Sequence, residues 1–149
     1  MFKRVLILCI GNICRSPLAE AMLTKAMPNV EVDSAGLGAL VNYPAAPEMQ
    51  KIAQDDYGLD LSGHRAKQMS KQLVQSAEII FVMSEGQKQH VKEQYPHLGG
   101  RVLLLSHFSP ADMKGRKIAD PYKKSEEDFI ECAQQIAIHV DAISKALKR

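Results

Sequence analysis

The chain has 149 residues, 46% of them hydrophobic, and a net charge of +2, which predicts one globular domain over residues 1–149. The small net charge excludes strong electrostatic steering towards nucleic acid, and no apolar run approaches the about 20 residues that cross a bilayer. The odd number of cysteines, three, argues against a disulfide framework, so we expect a reducing, cytoplasmic location.

The first elements in chain order alternate between strand and helix. Residues 5–10 are continuously apolar and predict a buried parallel strand. Ser16 and Pro17 then predict the start of a helix, with the serine as N-cap and the proline at the first helical position. A short strand is predicted at residues 30–34. Residues 35–47, rich in Gly and Pro, predict a long loop, and long loops are often functional.

The remainder of the chain continues the alternation. Further helices are predicted at residues 47–57, 70–76 and 84–95, and further strands at residues 78–83 and 101–106. After a loop at residues 107–121, Ser125 and Asp128 resemble a capping box that begins a long amphipathic helix. This alternation predicts an α/β fold, a three-layer sandwich around a mainly parallel sheet, with ligands bound beyond the carboxyl ends of the strands.

The turn after the first strand, CIGNICRS at residues 9–16, has the residues for anion chemistry. A short loop between strand and helix can curl so that backbone N–H groups point inward; we expect Gly11 to relax that curl and Asn12 to accept a left-handed conformation. An anion there also meets the helix end and the Arg15 guanidinium. This field favours the Cys9 thiolate. The predicted phosphate site comprises Ile10, Gly11, Asn12, Ile13, Cys14 and Arg15.

A cysteine and an arginine six residues apart form a weak pattern by themselves, and the alternative is a buried structural cysteine with a surface arginine. Together with the Asp33-Ser34-Ala35-Gly36 and Asp120-Pro121-Tyr122 runs, however, the chain closely resembles the low-molecular-weight protein tyrosine phosphatases. These motifs keep their order and spacing over nearly the whole chain.

The resemblance implies the phosphotyrosine phosphatase I-like fold, a four-stranded parallel sheet flanked by helices. It implies hydrolysis of protein phosphotyrosine through a cysteinyl-phosphate intermediate, with no metal or cofactor and with phosphate or other oxyanions as inhibitors. It also points to the bacterial branch that acts on autophosphorylated tyrosine kinases in capsule or exopolysaccharide production. The expected partner is therefore a phosphotyrosine protein, not nucleic acid, and no membrane insertion is expected.

The resemblance also implies roles for individual residues. Cys9 is the expected nucleophile, Arg15 binds phosphate, and Asp120 is the general acid and then the base for water. The chain has no other Asp-Pro pair, but the alternative for Asp120 is an ordinary Asp-Pro turn. Supporting roles fall on Ser16, Ser34 and His64, and the cleft is expected to be lined by Leu40 and Tyr122.

Some of these residues have a purely structural alternative role, and one departs from the residue type common in the family. Ser16 can be only a helix cap and His64 only a surface histidine. Leu40 stands where many members carry an aromatic residue, which leaves the substrate preference open. For Cys14 the resemblance implies a reversible disulfide with Cys9 under peroxide, and the alternative is a small buried residue.

Three rival functions remain open. Arsenate reduction on the same scaffold needs further cysteines in the middle of the chain, and residues 15–131 contain none. Arginine phosphatases of the family carry threonine where this chain has Ile13, and an apolar side chain there favours a phenyl ring over a guanidinium group. An idle phosphate-binding module would not need Cys9, Arg15 and Asp120 together.

Overall fold

A computed structural model describes residues 2–148. The strands are β1 (Arg4–Cys9), β2 (Glu31–Gly36), β3 (Ile79–Val82) and β4 (Val102–Leu104). The helices are α1 (Arg15–Ala26), α2 (Pro47–Tyr57), α3 (Lys71–Ser76), α4 (Glu85–Gln94) and α5 (Glu126–Leu147), with a 3-10 segment at Pro96–Arg101. Within this part of the chain, no helix combines the length and apolar character needed to cross a membrane.

The four strands form one parallel sheet in the order β2-β1-β3-β4. Every residue of β1 after Arg4 is buried, as expected for a parallel strand covered on both faces. Val5 and Ile7 pack in the cluster formed with α1, α2 and α5, whereas Leu6 and Leu8 pack on the opposite face with α3 and α4. The predicted three-layer α/β sandwich is thereby confirmed.

Local capping chemistry explains most helix boundaries. Ser70, Ser84 and Ser125 each accept a hydrogen bond from the backbone N–H three residues later, as the predicted helix starts require. The prediction for α1 was wrong: the helix begins at Arg15, and its cap position makes no side-chain hydrogen bond. Ser16 lies in the first turn of the helix, and its hydroxyl contacts Cys9 and Asn12 instead.

The segment after β4 is tied back to the sheet. The strand is shorter than predicted, but the Leu105 N–H still donates to the carbonyl of Val82 at 2.8 Å. Further along, Ile118 is buried and its N–H donates to the carbonyl of Met83 at 3.1 Å. This anchor holds the residues that follow, including Asp120, against the carboxyl edge of the sheet.

Candidate active site

The curled loop at residues 10–14 is shaped by Asn12 and by Gly36 rather than by Gly11. Asn12 has a φ of 60°, the left-handed conformation that was predicted. The prediction for Gly11 was wrong: its φ is not left-handed, and a Cβ there would only touch side chains at 3.7 Å or more. At Gly36 a Cβ would lie 2.5 Å from the carbonyl oxygen of Ile10, so the loop packs directly on the end of β2.

The Asn12 side chain determines the direction of the hydrogen bonds that reach Cys9. Its Oδ1 accepts from the backbone N–H of Lys67 at 3.0 Å, so Nδ2 donates to Ser16 Oγ at 2.7 Å and to Ser34 Oγ at 2.9 Å. Ser16 Oγ lies 2.9 Å from Cys9 Sγ, and when Cys9 is a thiolate the serine hydroxyl is the donor, because a thiolate has no hydrogen to donate. A hydroxyl that donates to sulfur stabilises the thiolate form.

The same chain of hydrogen bonds ends at Glu20, a residue that the sequence analysis missed. Ser34 Oγ accepts from Asn12 and donates to Glu20 Oε1 at 2.6 Å. Burial raises the pKa of the Glu20 carboxyl. The available signal was helical spacing, since Glu20 follows Ser16 by four residues and therefore lies on the same face of α1. His64, a predicted supporting residue, contacts the backbone of the loop: its Nε2 lies 2.7 Å from the carbonyl oxygen of Asn12.

The Arg15 side chain is buried, with only 4% of it exposed, and it is held by the backbone. Its Nη1 donates to the carbonyl of Ile118 at 2.7 Å, and its Nη2 lies 3.6 Å from Asp120 Oδ2. Within residues 2–148, its Nε has no hydrogen-bond partner although it is buried. An unpaired buried donor on a cation is costly, which indicates that this edge of the guanidinium serves an anionic acceptor.

A pocket of about 160 Å³ opens above Cys9. It is lined by the following residues: Cys9, Ile10, Gly11, Ile13, Cys14, Gly38, Leu40, Asp120 and Tyr122. Leu40 and Tyr122 lie on different segments of the chain, as the sequence predicted for two walls of a cleft. Asp120 is fixed at the rim by the backbone N–H of Tyr122, which donates to its Oδ1 at 3.1 Å. Cys9, Asp120, Leu40 and Tyr122 therefore meet at this pocket, and Arg15, which does not line it, contacts Asp120.

The other two cysteines are Cys14, which lines the same pocket as Cys9, and Cys132 of α5. All three are free and buried. Burial raises the pKa of Cys14 far above that of an ordinary thiol, and burial also raises the pKa of Cys132 to about 12. Cys132 packs in the core as predicted. The disulfide between Cys9 and Cys14 stays a prediction.

This site and fold agree with a family of known proteins. The family model described as "Low molecular weight phosphotyrosine protein phosphatase" matches residues 4–149. The chain belongs to this family. The resemblance drawn from the sequence motifs is therefore confirmed, and this phosphatase can be compared with individual members.

Individual relatives cover nearly all of the phosphatase. The probable low molecular weight protein-tyrosine-phosphatase EpsP of Ralstonia nicotianae is 43% identical over 142 residues, which is 95% of this chain and 94% of that protein. The crystal structure of the tyrosine phosphatase Wzb from Escherichia coli K30 with sulphate has a TM-score of 0.91 and 31% identity, and the match covers 99% of each chain. The YwlE arginine phosphatase from Geobacillus stearothermophilus has a TM-score of 0.90 and 28% identity, covering 98% of this chain and 93% of that chain.

Proposed function

We propose that this protein-tyrosine phosphatase hydrolyses phosphotyrosine in proteins by transferring the phosphoryl group to Cys9 and then to water. The observation that carries this mechanism is the convergence on one small pocket. Cys9 Sγ lies 2.9 Å from the Ser16 hydroxyl oxygen, and Asp120 lines the pocket above Cys9. Arg15 lies beside Asp120 and has an unpaired buried N–H. The sulphate bound by Wzb supports an oxyanion site on this fold.

The first step breaks the bond between phosphorus and the tyrosine oxygen. The Cys9 thiolate attacks phosphorus in line, a sulfur–phosphorus bond forms, and the phenolate oxygen leaves with a proton from the Asp120 carboxylic acid. Charge on the three equatorial oxygens is balanced by Arg15 and by the backbone N–H groups of the loop at residues 10–15. Because the Ile118 carbonyl already holds the Arg15 guanidinium, this cation needs little reorganisation as the charge develops.

The second step returns the enzyme to its starting state. The Asp120 carboxylate accepts a proton from a water molecule, whose oxygen attacks the phosphorus of the cysteinyl phosphate. The sulfur–phosphorus bond breaks and the electron pair returns to Cys9. The Ser16 hydroxyl, held in direction by Asn12, stabilises the released thiolate.

The pocket favours a phenyl ring over a guanidinium group. Ile13 and Leu40 line it, and apolar side chains such as these gain free energy by packing on an aromatic ring. A phosphoarginine would bring hydrogen-bond donors that an apolar wall leaves unpaired, at a cost in binding. We therefore propose phosphotyrosine as the substrate rather than the phosphoarginine implied by the name of YwlE.

The physiological substrate that we propose is an autophosphorylated bacterial tyrosine kinase that controls the production of an exported polysaccharide. Support comes from the motif resemblance to that branch and from the similarity to EpsP and Wzb. The nucleophile has to stay a reduced thiol, so we propose that the enzyme works in the cytoplasm.

The mechanism is tested by trapping the covalent intermediate. Rapid acid quench of the enzyme with a phosphotyrosine peptide should give phosphoprotein in the wild type and none in Cys9→Ser, which should also lose turnover but still bind phosphate. Cys132→Ala is the matched control, because Cys132 lies in the core cluster and outside the pocket. Turnover by Cys9→Ser, or phosphate trapped on another residue, contradicts the proposal. Comparison of matched phosphotyrosine and phosphoarginine peptides tests the substrate.

A further inference from the structure

The two walls at the mouth of the pocket differ in charge. One wall is the loop at residues 37–46 that follows β2, here called the neutral wall; residues 34–47 contain no charged side chain. Its Val41 and Tyr43 side chains are both exposed, at 54% each. Gly38 and Leu40 of this wall line the pocket itself. A substrate segment that leaves the pocket on this side meets apolar and small side chains.

The opposite side of the pocket is lined by Asp120 and Tyr122, and the segment just before them carries three cations, here called the basic rim: Lys114, Arg116 and Lys117. All three are exposed, and within residues 2–148 none of them forms a salt bridge. Burial together with the positive charges of Lys114 and Lys88 lowers the pKa of His107. Positive charge from α4 therefore adds to that of the rim on this side of the molecule.

Other charges near this segment are not counted as part of the rim. Lys124 lines a groove whose acidic side chains include Asp55 and Glu126. Asp128 is used in the capping box at the start of α5. Asp120 lies beside the Arg15 guanidinium. Lys123 has its Nζ 5.5 Å from the centre of the Tyr122 ring, and Asp112 is an exposed acid of the same loop as the rim. With three cations and one acid, residues 112–117 carry a net charge of +2.

The sheet order places the neutral wall and the basic rim on opposite sides of Cys9. The neutral wall follows β2, and the rim lies in the segment after β4, with β1 between them in the order β2-β1-β3-β4. Lys117 is three residues from Asp120, so the two Cα atoms are at most about 11 Å apart. Ile118 between them is fixed by hydrogen bonds through both its N–H and its carbonyl. A peptide residue two or three positions from the phosphotyrosine reaches the same distance.

We propose that the phosphatase selects phosphotyrosine segments with acidic residues on one side of the phosphotyrosine and uncharged residues on the other. The acidic side faces Lys114, Arg116 and Lys117, and the uncharged side lies on residues 37–46. This inference rests on the proposed function and specifies its substrate class. Complementary charge at such a rim contributes to selection of the partner and is screened by salt.

Three phosphotyrosine peptides of equal length test the proposal: one neutral, one with three glutamates before the phosphotyrosine, and one with three after it. At an ionic strength of about 0.01 M, where charges act over about 30 Å, we expect kcat/KM to be about tenfold higher for one acidic peptide than for the neutral peptide, through KM. At about 1 M salt the advantage should disappear. Each preference is a ratio within one protein, so differences in folded fraction cancel.

Variants identify the surface responsible. Replacing all three rim cations by glutamine (K114Q, R116Q and K117Q) should bring the ratio close to one. The matched control removes three exposed cations near the opposite, amino-terminal edge of the sheet (K3Q, K25Q and K148Q) and should keep the preference. Equal loss in both variants would show an effect of net charge and overturn the proposal.

The remaining outcomes separate this inference from the proposed function. If the three peptides are hydrolysed equally well, the charge selection is wrong and the phosphatase function stands. An equal advantage for both acidic peptides contradicts the one-sided arrangement of neutral wall and basic rim. If none of the three peptides is hydrolysed, the proposed function fails, and this inference fails with it.

Discussion

A chain of hydrogen bonds in this phosphatase fixes the orientation of several buried side chains, one after another. The Asn12 amide is oriented by the Lys67 N–H, and it in turn directs the hydroxyls of two serines. One of these, Ser16, reaches the Cys9 sulfur, and the other reaches Glu20. The surroundings of the Cys9 sulfur therefore depend on residues that do not line the pocket.

The first prediction at this scale concerns the proton donor. An amide cannot supply a proton, so Asp120→Asn should slow phenyl phosphate by about 10²- to 10⁴-fold. It should slow para-nitrophenyl phosphate less, because the para-nitrophenolate anion is more stable than phenolate and depends less on protonation when it leaves. Steady-state kcat for both substrates measures the effect. Asp112→Asn, in the same loop and exposed, is the control. Equal slowing of the two substrates would show that Asp120 does not act as the acid.

The second prediction concerns Glu20 as a positioning residue. Glu20→Ala removes the acceptor of the Ser34 hydroxyl, a bond that contributes about 1 kcal/mol, and should lower kcat/KM about tenfold as the orientation of Asn12 loosens. Glu20→Gln keeps an amide oxygen in place and should recover most of the activity. Thermal unfolding of both variants separates this effect from stability. If glutamine is as harmful as alanine, the positioning role is wrong.

At the scale of elements, the active-site loop depends on how closely it packs on the end of β2. Gly36 pairs with Cys9 in the sheet register, and a Cβ at Gly36 would come within 2.5 Å of the Ile10 carbonyl oxygen and 2.9 Å of the Ala39 Cβ. The loop at residues 10–14 and the end of β2 are thus in close backbone contact. Any added atom has to displace the loop at residues 10–14.

A pair of alanine substitutions tests this close packing. Gly36→Ala should destabilise the fold by about 1–3 kcal/mol and lower kcat/KM by about 100-fold, because small displacements of catalytic groups have large effects. Gly58→Ala is the control: its φ is 64° and nothing lies within 4 Å of the added Cβ. It should cost about 1 kcal/mol and leave kcat/KM unchanged. Urea unfolding and steady-state kinetics measure both. Normal kinetics in Gly36→Ala would contradict the packing argument.

At the scale of the whole molecule, a buried histidine links stability to pH. His139 of α5 is 1% exposed, its Nδ1 lies 2.6 Å from Ser109 Oγ, and burial lowers its pKa. The unfolded chain binds a proton there at a pH near the ordinary histidine pKa of about 6.5, whereas the folded protein resists it. The free energy of unfolding should therefore fall as the pH drops below about 6.5.

This prediction is tested by urea unfolding at pH 7.5 and pH 5.5. His139→Asn keeps an acceptor for Ser109 but does not titrate, so its stability should differ less between the two pH values than that of the wild type. His90→Asn, on the exposed side of α4, should behave like the wild type. His107, whose pKa burial also lowers, is present in all three proteins. An identical pH dependence in His139→Asn would show that His139 is not responsible.

Much of the architecture was predictable because its causes are local. Apolar runs predicted three of the four strands, serine residues predicted helix starts such as Ser125, and the alternation of elements predicted the parallel sheet. The strand–turn–helix at residues 9–16 predicted a phosphate loop, since backbone N–H groups, a helix end and an arginine occur within eight residues. The motifs were specific enough to predict the family, which the comparison confirmed.

The partners of these motifs became visible only in three dimensions. Ser16 looked like a helix cap, and its use on Cys9 depends on Asn12, whose own direction comes from Lys67 far along the chain. Glu20 enters the network only through its hydrogen bond with Ser34. The Arg15 guanidinium is held by a carbonyl 103 residues away. Local sequence determines which residues can form a strand, a cap or a nest. Long-range packing decides which donors and acceptors meet, because these hydrogen bonds join segments that only the folded chain brings together.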